Sequence, residues 1–472
     1  MVFSSIVFLG AFLPVVLLLY FISGNRTWRN FILLIASMLF YAWGEPIWVA
    51  AMAALALIDY LGGLMVGRIQ GAGAKKAFLV LMVILNLALL FMFKYFNFLM
   101  DSVGDLVRLL GGTGFSFARF PFAMPIGISF FTFQALSYVL DVYRGDAAPQ
   151  KNYFYLLLYI SMFPQLIAGP IVRYTDVEYE ILNRRESASD FANGAFRFCV
   201  GLGKKVILAN YAGGLATTLL STNLNALSAS GAWVGMLMYT AQIYFDFSGY
   251  SDMAIGLGHI FGFNFKENFN YPYASRTVTE FWRRWHISLS SFFRDYVYIP
   301  LGGNRKHQYL NILIVWALTG LWHGASWNFV IWGLYYAALL CAEKLLKKND
   351  IDMGKIPFIS NILLLLIVSF GWAVFYYTDA SQLWVFCRSL LGLANADITM
   401  SLRELTAVNE LFFLFPVLAL AATPIPAKVC NRLFAGRGIE VWVKTLWAAV
   451  LLVVCFMMIM NQTYNPFLYF RF

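Results

Sequence analysis

Long apolar segments recur along the whole chain of 472 residues and constrain its fold more than any other feature. A helix needs about 20 apolar residues to cross the hydrocarbon core of a bilayer. Several segments here are short or contain Pro and Gly, which is typical of broken or re-entrant helices buried in protein. We therefore predict an all-α polytopic membrane protein with about 11–13 transmembrane or re-entrant helices. The apolar segments lie at 5–22, 30–43, 47–66, 77–96, 122–140, 153–172, 195–220, 231–261, 309–346, 356–377, 410–423 and 442–460.

Composition excludes a soluble fold and determines how the net charge is interpreted. Hydrophobic residues make up 61% of the chain and charged residues only 12%, whereas a soluble domain is about half apolar and about a quarter charged. The net charge of +10 would suggest nucleic acid in a soluble protein. In a membrane protein, basic residues collect in cytoplasmic loops, so we expect a lipid bilayer and no nucleic acid as the partner.

Lysine and arginine are unevenly distributed among the connecting loops, and this bias predicts the orientation. The loops at 23–29 and 67–76 are basic, whereas the turn at 44–46 between them carries no basic residue. The N-terminus is therefore predicted to be extracytoplasmic. Segment 5–22 has neither a basic leader nor a small-residue cleavage site, so we interpret it as a retained helix. Later loops agree with this orientation through Lys344, Lys347, Lys348, Lys355, Lys428, Arg432, Arg437 and Lys444.

Histidine is the natural proton-transfer group near neutral pH, and this chain has only four histidines. His323 lies between apolar segments, which places it at membrane depth. Ionisable groups at that depth are costly and tend to be functional. Burial also favours a neutral imidazole that can accept a proton. His307 lies in a polar loop and is expected to be solvated, whereas His259 is expected to be a packed, hydrogen-bonded residue.

The segment around His286 allows two interpretations. At helical spacing Trp282, Trp285, His286, Leu289 and Phe293 would share one face of a continuous helix. This helix is either interfacial and amphipathic, or a basic surface for a phosphate-bearing ligand with the histidine pointing into the bundle. The arginines of such a donor-binding surface would be Arg283, Arg284 and Arg294.

Asp246 and Asp252 lie within an apolar segment, where unpaired carboxylates are expensive. We expect them to pair with Arg283, Arg284 or Arg294. The acidic and histidine residues have no recognisable metal-ligand spacing, and the five cysteines have no paired spacing either. No metal site is therefore predicted.

Several long motifs together resemble the membrane-bound O-acyltransferase (MBOAT) family, and in particular its polysaccharide-acetylating branch, which includes the membrane subunit of alginate O-acetylation. The likeness extends over nearly the whole chain, and no motif position departs from it. The motifs are MVFSS at 1–5, PIGISFFTFQ at 125–134, FPQLIAGPIVRY at 163–174, YFDFSGYSDMA at 244–254, NFNYPY at 268–273, FWRRWH at 281–286, DYVYIPLGGN at 295–304, LTGLWHG at 318–324 and YFRF at 469–472.

The resemblance implies that His323 is the catalytic histidine and that His286 is the second characteristic histidine. It also implies a single domain over 1–472, with a catalytic core at about 122–346 and a ring of helices around a central funnel. The donor would be acetyl-CoA, a substrate and not a bound cofactor. The acceptor would be an extracytoplasmic polysaccharide or a serine of a periplasmic partner acetylase. The protein would lie in the bacterial cytoplasmic (inner) membrane.

Two other functions remain open from the sequence. One is D-alanyl transfer to teichoic acid within the same enzyme class, which the MVFSS start and the YFRF end disfavour. The other is a transporter or flippase, which would also use broken helices and buried carboxylates. The chain does not divide into two halves with matching pattern, which argues against a transporter. A catalytically inactive scaffold is a further alternative, and the intact histidine motifs argue against it.

Overall fold

A computed structural model describes residues 1–112, 117–167, 169–221, 224–351, 353–394, 397–436, 438–461 and 467–468. Within these residues every regular element is helical. The all-α prediction is therefore confirmed. Three features of the sequence lie outside the described residues: the basic loop residue Arg437, Ala168 in the motif at 163–174, and the terminal motif at 469–472.

The chain forms two compact units. The first unit comprises 1–194 and 254–266, and the second comprises 195–253 and 267–472. The first unit contains α1 Leu13–Phe21, α2 Arg26–Ala42, α3 Trp48–Arg68, α4 Ala72–Leu90, α5 Phe96–Leu109, α6 Ile128–Arg144, α7 Tyr153–Ser161 and α8 Tyr174–Asn183. π-Helical turns at Phe8–Phe12 and Phe91–Tyr95 precede α1 and α5.

Two helices contribute residues to both units; they are α9 Ala188–Gly203 and α11 Ala229–Ile260. The second unit also contains α10 Asn210–Leu220, α12 Val278–Arg284, α13 Ile287–Phe293, α14 Gln308–His323, α15 Trp327–Lys348, α16 Pro357–Tyr376, α17 Ala380–Leu390, α18 Leu402–Glu410, α19 Leu414–Ala421, α20 Ile425–Phe434 and α21 Glu440–Met460. π-Helical turns span Lys204–Ala209 and Arg294–Tyr298, and 3₁₀ turns span Leu224–Ala226 and Pro272–Ala274.

Polar side chains just before several helices explain where those helices begin. The Asn25 side chain accepts hydrogen bonds from the backbone N–H groups of Thr27 and Trp28. The Thr277 hydroxyl likewise accepts from the N–H of Glu280 at the start of α12. The first N–H groups of a helix have no partner inside the helix, and such caps satisfy them. The local sequence therefore fixes where these helices start.

Five helical spans in the described part of the chain are long and apolar enough to cross a membrane. The number is six if the bent pair α18 and α19 forms one span. The polytopic prediction is thus confirmed. The predicted total of 11–13 also counted shorter and broken segments, and for those segments a crossing stays a prediction. The five spans are Trp48–Arg68, Ala72–Leu109, Trp327–Lys348, Pro357–Tyr376 and Glu440–Met460.

The first unit is held together by an ionic cluster around Glu186. Its carboxylate binds Arg26 at 2.5 Å and Arg29 at 2.6 Å, and it accepts a hydrogen bond from the Tyr20 hydroxyl. Arg184 is buried and donates to the carbonyl of Phe261 and to the side chain of Asn30. These bonds join α1, α2 and the loop after α8, so charged groups in an apolar protein satisfy one another.

Candidate active site

His323 is the last residue of α14, next to a break in the long apolar segment at 309–346. Gly324 has an extended backbone, and α15 begins at Trp327. The apolar segment at 309–346 is therefore a broken helix.

Two glycines let α14 and α15 touch through their backbones. A methyl group on Gly333 would lie 2.3 Å from the carbonyl oxygen of Trp316. A methyl group on Gly320 would lie 2.3 Å from the carbonyl oxygen of Phe329. Any larger residue would separate the helices, as small residues at helix contacts in membranes permit close approach. This contact lies one turn from His323 and fixes its position relative to α15.

Aromatic rings surround His323, which is 7% exposed. Its imidazole centroid lies 5.0 Å from Trp322, 5.1 Å from Trp332 and 5.4 Å from Phe375, with interplanar angles of 77° to 82°. Edge-to-face packing of this kind is favourable for aromatic rings. Apolar surroundings of this kind disfavour a charged imidazolium.

His286 lies in a break between two short helices, so the predicted continuous helix over 279–295 is wrong. Helix α12 ends at Arg284, Trp285 is extended, and His286 has a left-handed backbone with φ 45°. A non-glycine residue in this conformation is strained, and such strain often marks functional sites. Periodicity could not reveal the break because the residues on either side retain helical spacing.

Asn268 holds the His286 side chain. The Asn268 side-chain oxygen lies 3.2 Å from Nδ1 of His286 and also binds the backbone N–H and hydroxyl of Ser288, at 3.1 and 2.8 Å. Both Asn268 and His286 are 1% exposed. His286 lies in the polar stretch between two apolar segments. Burial lowers its pKa to about 3, so this imidazole is neutral at physiological pH.

The two histidines contact the same indole ring. The Trp322 centroid lies 5.9 Å from that of His286 and 5.0 Å from that of His323. The two distances together place the imidazole centroids within about 11 Å of each other. Both histidines belong to the second unit, which brings the two residues singled out by the sequence into one aromatic site.

The predicted pairing of Asp246 and Asp252 with arginines of the 283–294 segment is wrong. Asp246 binds Lys205 at 2.5 Å and accepts a hydrogen bond from the N–H of Leu468 at 2.7 Å. Asp252 binds Arg197 at 2.9 Å and Lys204 at 2.6 Å. These cations lie some 40 to 55 residues before the carboxylates, and tertiary packing rather than local sequence brings them together.

The three arginines predicted to bind the donor remain at the surface. Arg284 pairs with Glu280 at 2.8 Å, and Arg294 pairs with Asp295 at 2.6 Å. Arg283 is exposed, and no ion pair of Arg283 occurs in the described part of the chain. None of the three pairs with Asp246 or Asp252 in the described part of the chain, and their role in donor binding stays a prediction.

The other two histidines lie in a loop and near the end of a helix. His307 is exposed and precedes α14 with φ 50°, as expected of a solvated loop residue. His259 is partly buried near the end of α11, in the first unit, and its predicted packing role stays a prediction.

Sequence reasoning missed three side chains of this site, namely Asn268, Trp332 and Phe375. Asn268 lies inside a recognised motif, but its contact with His286 spans 18 residues and depends on the left-handed turn. Trp332 and Phe375 looked like ordinary apolar helix residues. Only the approach of α15 and α16 to the end of α14 shows that they line the histidine.

Comparison with known proteins identifies the class to which this helical fold and its buried histidines belong. The sequence model of MBOAT, the membrane-bound O-acyltransferase family, matches residues 128–375. This range includes both histidines. The chain belongs to the membrane-bound O-acyltransferase family and is an O-acyltransferase, so the transporter interpretation is set aside.

Full-length relatives come from the polysaccharide-acetylating branch. The chain is 39% identical to the "Probable alginate O-acetylase AlgI" of Pseudomonas putida, over the whole of both proteins. It is 30% identical to the "Peptidoglycan O-acetyltransferase" of Helicobacter pylori, over all of this chain and 98% of the relative. It is also 30% identical to the "Teichoic acid D-alanyltransferase" of Bacillus subtilis, over 47% of this chain and 60% of the relative.

Proposed function

We propose that this protein transfers an acetyl group from acetyl-CoA on the cytoplasmic side to a hydroxyl group on the opposite side of the bacterial cytoplasmic membrane. The observation that carries the proposal is the burial of His323 among three aromatic rings, beside the break between α14 and α15. A neutral histidine at that position is suited to act as a general base in a site that excludes bulk water.

His323 would remove the proton from the acceptor hydroxyl as its oxygen attacks the thioester carbonyl carbon. The new C–O bond forms, and the C–S bond then breaks. The proton held by His323 passes to the departing sulfur, so that an ester and the free thiol of coenzyme A result. Base assistance of this kind accelerates reactions by roughly 10²–10⁴.

The acceptor is proposed from the full-length relatives. Those relatives are named for alginate and peptidoglycan acetylation, and both polymers present sugar hydroxyl groups. We propose a polysaccharide hydroxyl, or the serine hydroxyl of a periplasmic partner acetylase that passes the group on. Either acceptor presents the neutral O–H that a buried neutral imidazole can deprotonate.

D-alanyl transfer to teichoic acid is the second candidate, supported by the likeness to the D-alanyltransferase. That likeness covers about half of this chain, whereas the acetylating relatives match it from end to end. The two functions share the catalytic histidine and differ in the donor, which is a coenzyme thioester in one and a carrier-protein thioester in the other.

Donor choice separates the two candidates. Purified protein in detergent should release free thiol from acetyl-CoA, and D-alanyl carrier protein should give no thiol above the rate without enzyme. The reaction can be followed with a thiol-reactive dye, with water or alginate oligomers as the acceptor. Faster thiol release from the carrier protein than from acetyl-CoA would overturn the acetyl assignment in favour of D-alanyl transfer.

Arg283 should contribute to donor binding. Its guanidinium is exposed and has no carboxylate partner in the described part of the chain, so it is available for the phosphates of coenzyme A. We expect Arg283→Gln to raise the KM for acetyl-CoA by up to about five-fold, because an exposed charge pair is worth at most about 1 kcal/mol. Added salt should raise the wild-type KM more than that of the variant.

Arg403→Gln is the matched control for this prediction. Arg403 is exposed on α18. The stretch at 378–409 has only Arg388 and Arg403 as basic residues, so the lysine and arginine bias predicts that it lies on the extracytoplasmic side. Replacing Arg403 should leave the KM for acetyl-CoA unchanged. An unchanged KM in Arg283→Gln, with reduced yield of folded protein, would assign Arg283 a structural role.

A further inference from the structure

The hydrogen bonds around Asn268 determine which nitrogen of His286 carries the proton. The backbone N–H of Ser288 can only donate, and it points at the Asn268 side-chain atom assigned as oxygen, 3.1 Å away. That contact fixes the orientation of the amide, since an NH₂ group could not accept this bond. The same oxygen lies 3.2 Å from Nδ1 of His286. An amide oxygen accepts and never donates, and the Ser288 hydroxyl, 3.5 Å from Nδ1, already donates to that oxygen at 2.8 Å. The hydrogen between Nδ1 and the amide oxygen is therefore assigned to Nδ1.

The other ring nitrogen of His286 then holds a lone pair. A neutral imidazole has one N–H and one acceptor nitrogen, and the pKa of His286 keeps the ring neutral. Nε2 is buried and has no hydrogen-bond partner in the described part of the chain. The rings that contact this imidazole are Phe247, Phe269 and Trp322. A buried acceptor without a partner costs free energy, so its presence next to Trp322 calls for an explanation.

We propose that Asn268 is a positioning residue that locks His286 in the Nδ1–H tautomer, and that Nε2 of His286 accepts a hydrogen bond from an O–H or N–H group of a reactant. The inference rests on the proposed function, since it takes the site shared with His323 to be where the reactants meet. This tautomer excludes a role for His286 as a hydrogen-bond donor to an oxyanion, because the neutral ring has no hydrogen at Nε2.

Two reactants carry the required donor group. The acceptor offers a hydroxyl group, and the arm of coenzyme A that bears the thioester offers amide N–H groups. Both are neutral hydrogen-bond donors, and a buried neutral nitrogen suits them better than it suits a phosphate. Weakening the hydrogen bond to Nε2 should raise the KM of the reactant that makes it, so the KM values for acetyl-CoA and for the acceptor identify that reactant.

The carboxylates on the elements that contact His286 are held by other partners. The carboxylates on α11 pair with lysines and arginine, as described above, and Glu267 pairs with Arg197 at 2.5 Å. A new charge at position 268 would therefore act on His286 directly. The elements whose rings contact His286 also carry the ionisable groups Tyr244, Asp246, Tyr250, Asp252, Glu267 and His323.

Histidine ¹⁵N NMR tests the tautomer without reference to activity. The chain has only four histidines, and a His286→Gln sample identifies the resonances of His286. The wild-type spectrum at neutral pH should show a protonated Nδ1 and an unprotonated Nε2 for this residue. A protonated Nε2 would overturn the proposal even if His323 proves catalytic. The predicted tautomer would survive even if His323 proved dispensable, so the two failures are distinguishable.

Replacements at position 268 test the positioning role. Asn268→Asp keeps the acceptor but adds a charge that favours the imidazolium, so the pH profile of the His286 ¹⁵N shifts should show ring protonation at a pH higher by about one unit or more. Asn268→Leu removes the acceptor and should lower kcat about 10- to 100-fold. The matched control is Asn270→Asp, which adds the same charge at an exposed position two residues away. It should leave the profile unchanged.

The outcomes decide the proposal and the ligand. A rise in the KM for acetyl-CoA in Asn268→Leu assigns Nε2 to the donor amide, and a rise in the KM for alginate oligomers assigns it to the acceptor hydroxyl. If Asn268→Asp has the wild-type pH profile, Asn268 does not act through the His286 ring and the proposal fails. This conclusion holds even if Asn268→Leu folds poorly, because the aspartate variant keeps the side-chain oxygen that accepts these hydrogen bonds.

Discussion

Replacing His323 with alanine should lower kcat for acetyl transfer by about 10²–10⁴, because the acceptor hydroxyl then loses its general base. The amount of protein in the membrane should stay near the wild-type level. The ring lies at the end of α14, beyond the contact between α14 and α15, so its removal leaves that contact in place. The measurement is the initial rate of thiol release from acetyl-CoA by purified protein at equal concentrations.

Two further variants make the His323 result interpretable. His323→Gln retains most of the side-chain volume among Trp322, Trp332 and Phe375, so a loss of activity there cannot be ascribed to a cavity. His307→Ala removes an exposed histidine from the loop before α14 and should keep full activity. Wild-type rates in a well-folded His323→Gln protein would contradict the proposed mechanism.

Gly333→Ala should destabilise the second unit by about 1–3 kcal/mol or more, the usual cost of overpacking a close contact. The added methyl group would lie 2.3 Å from the carbonyl oxygen of Trp316, and backbone atoms cannot rotate away as a flexible side chain can. Helices α14 and α15 must then move apart, which displaces His323. We expect a lower thermal unfolding temperature in detergent, followed by tryptophan fluorescence, together with loss of activity.

Gly214→Ala is the control for the helix contact. Gly214 lies in α10 with no atom within 4 Å of the added methyl group. Alanine is favoured over glycine in a helix by about 1 kcal/mol, so this variant should be as stable as the wild type or slightly more stable. Equal stability of Gly333→Ala and Gly214→Ala would mean that the α14–α15 contact does not hold the site together.

The sequence predicted those features that depend on composition and on local breaks. Apolar length identified the membrane helices, and the position of His323 between apolar segments singled out that residue. The continuous helix through His286 and the arginine partners of Asp246 and Asp252 were wrong. The first failed because periodicity continues across a left-handed residue. The second failed because Arg197, Lys204 and Lys205 are distant in sequence, and a pattern cannot rank them above nearby arginines.

The role of Asn268 illustrates what only a tertiary structure supplies. Its side chain looks like one of many polar groups in a loop, and no spacing links it to His286. In the fold it receives three hydrogen bonds at one oxygen, and those bonds determine the state of a ring 18 residues away. By contrast, His323 could be singled out from the sequence because a histidine among apolar residues is rare and expensive.

Transfer across a sealed membrane tests the central claim most directly. Inverted inner-membrane vesicles expose the cytoplasmic face and enclose the periplasmic acceptors, and acetyl-labelled acetyl-CoA is supplied outside them. We predict that the wild-type protein delivers label to esters inside the vesicle, protected from an esterase added outside, and that His323→Gln vesicles with equal protein deliver none above background. Lumenal label at the wild-type rate in His323→Gln, or wild-type label found only on the outer face, would contradict the account.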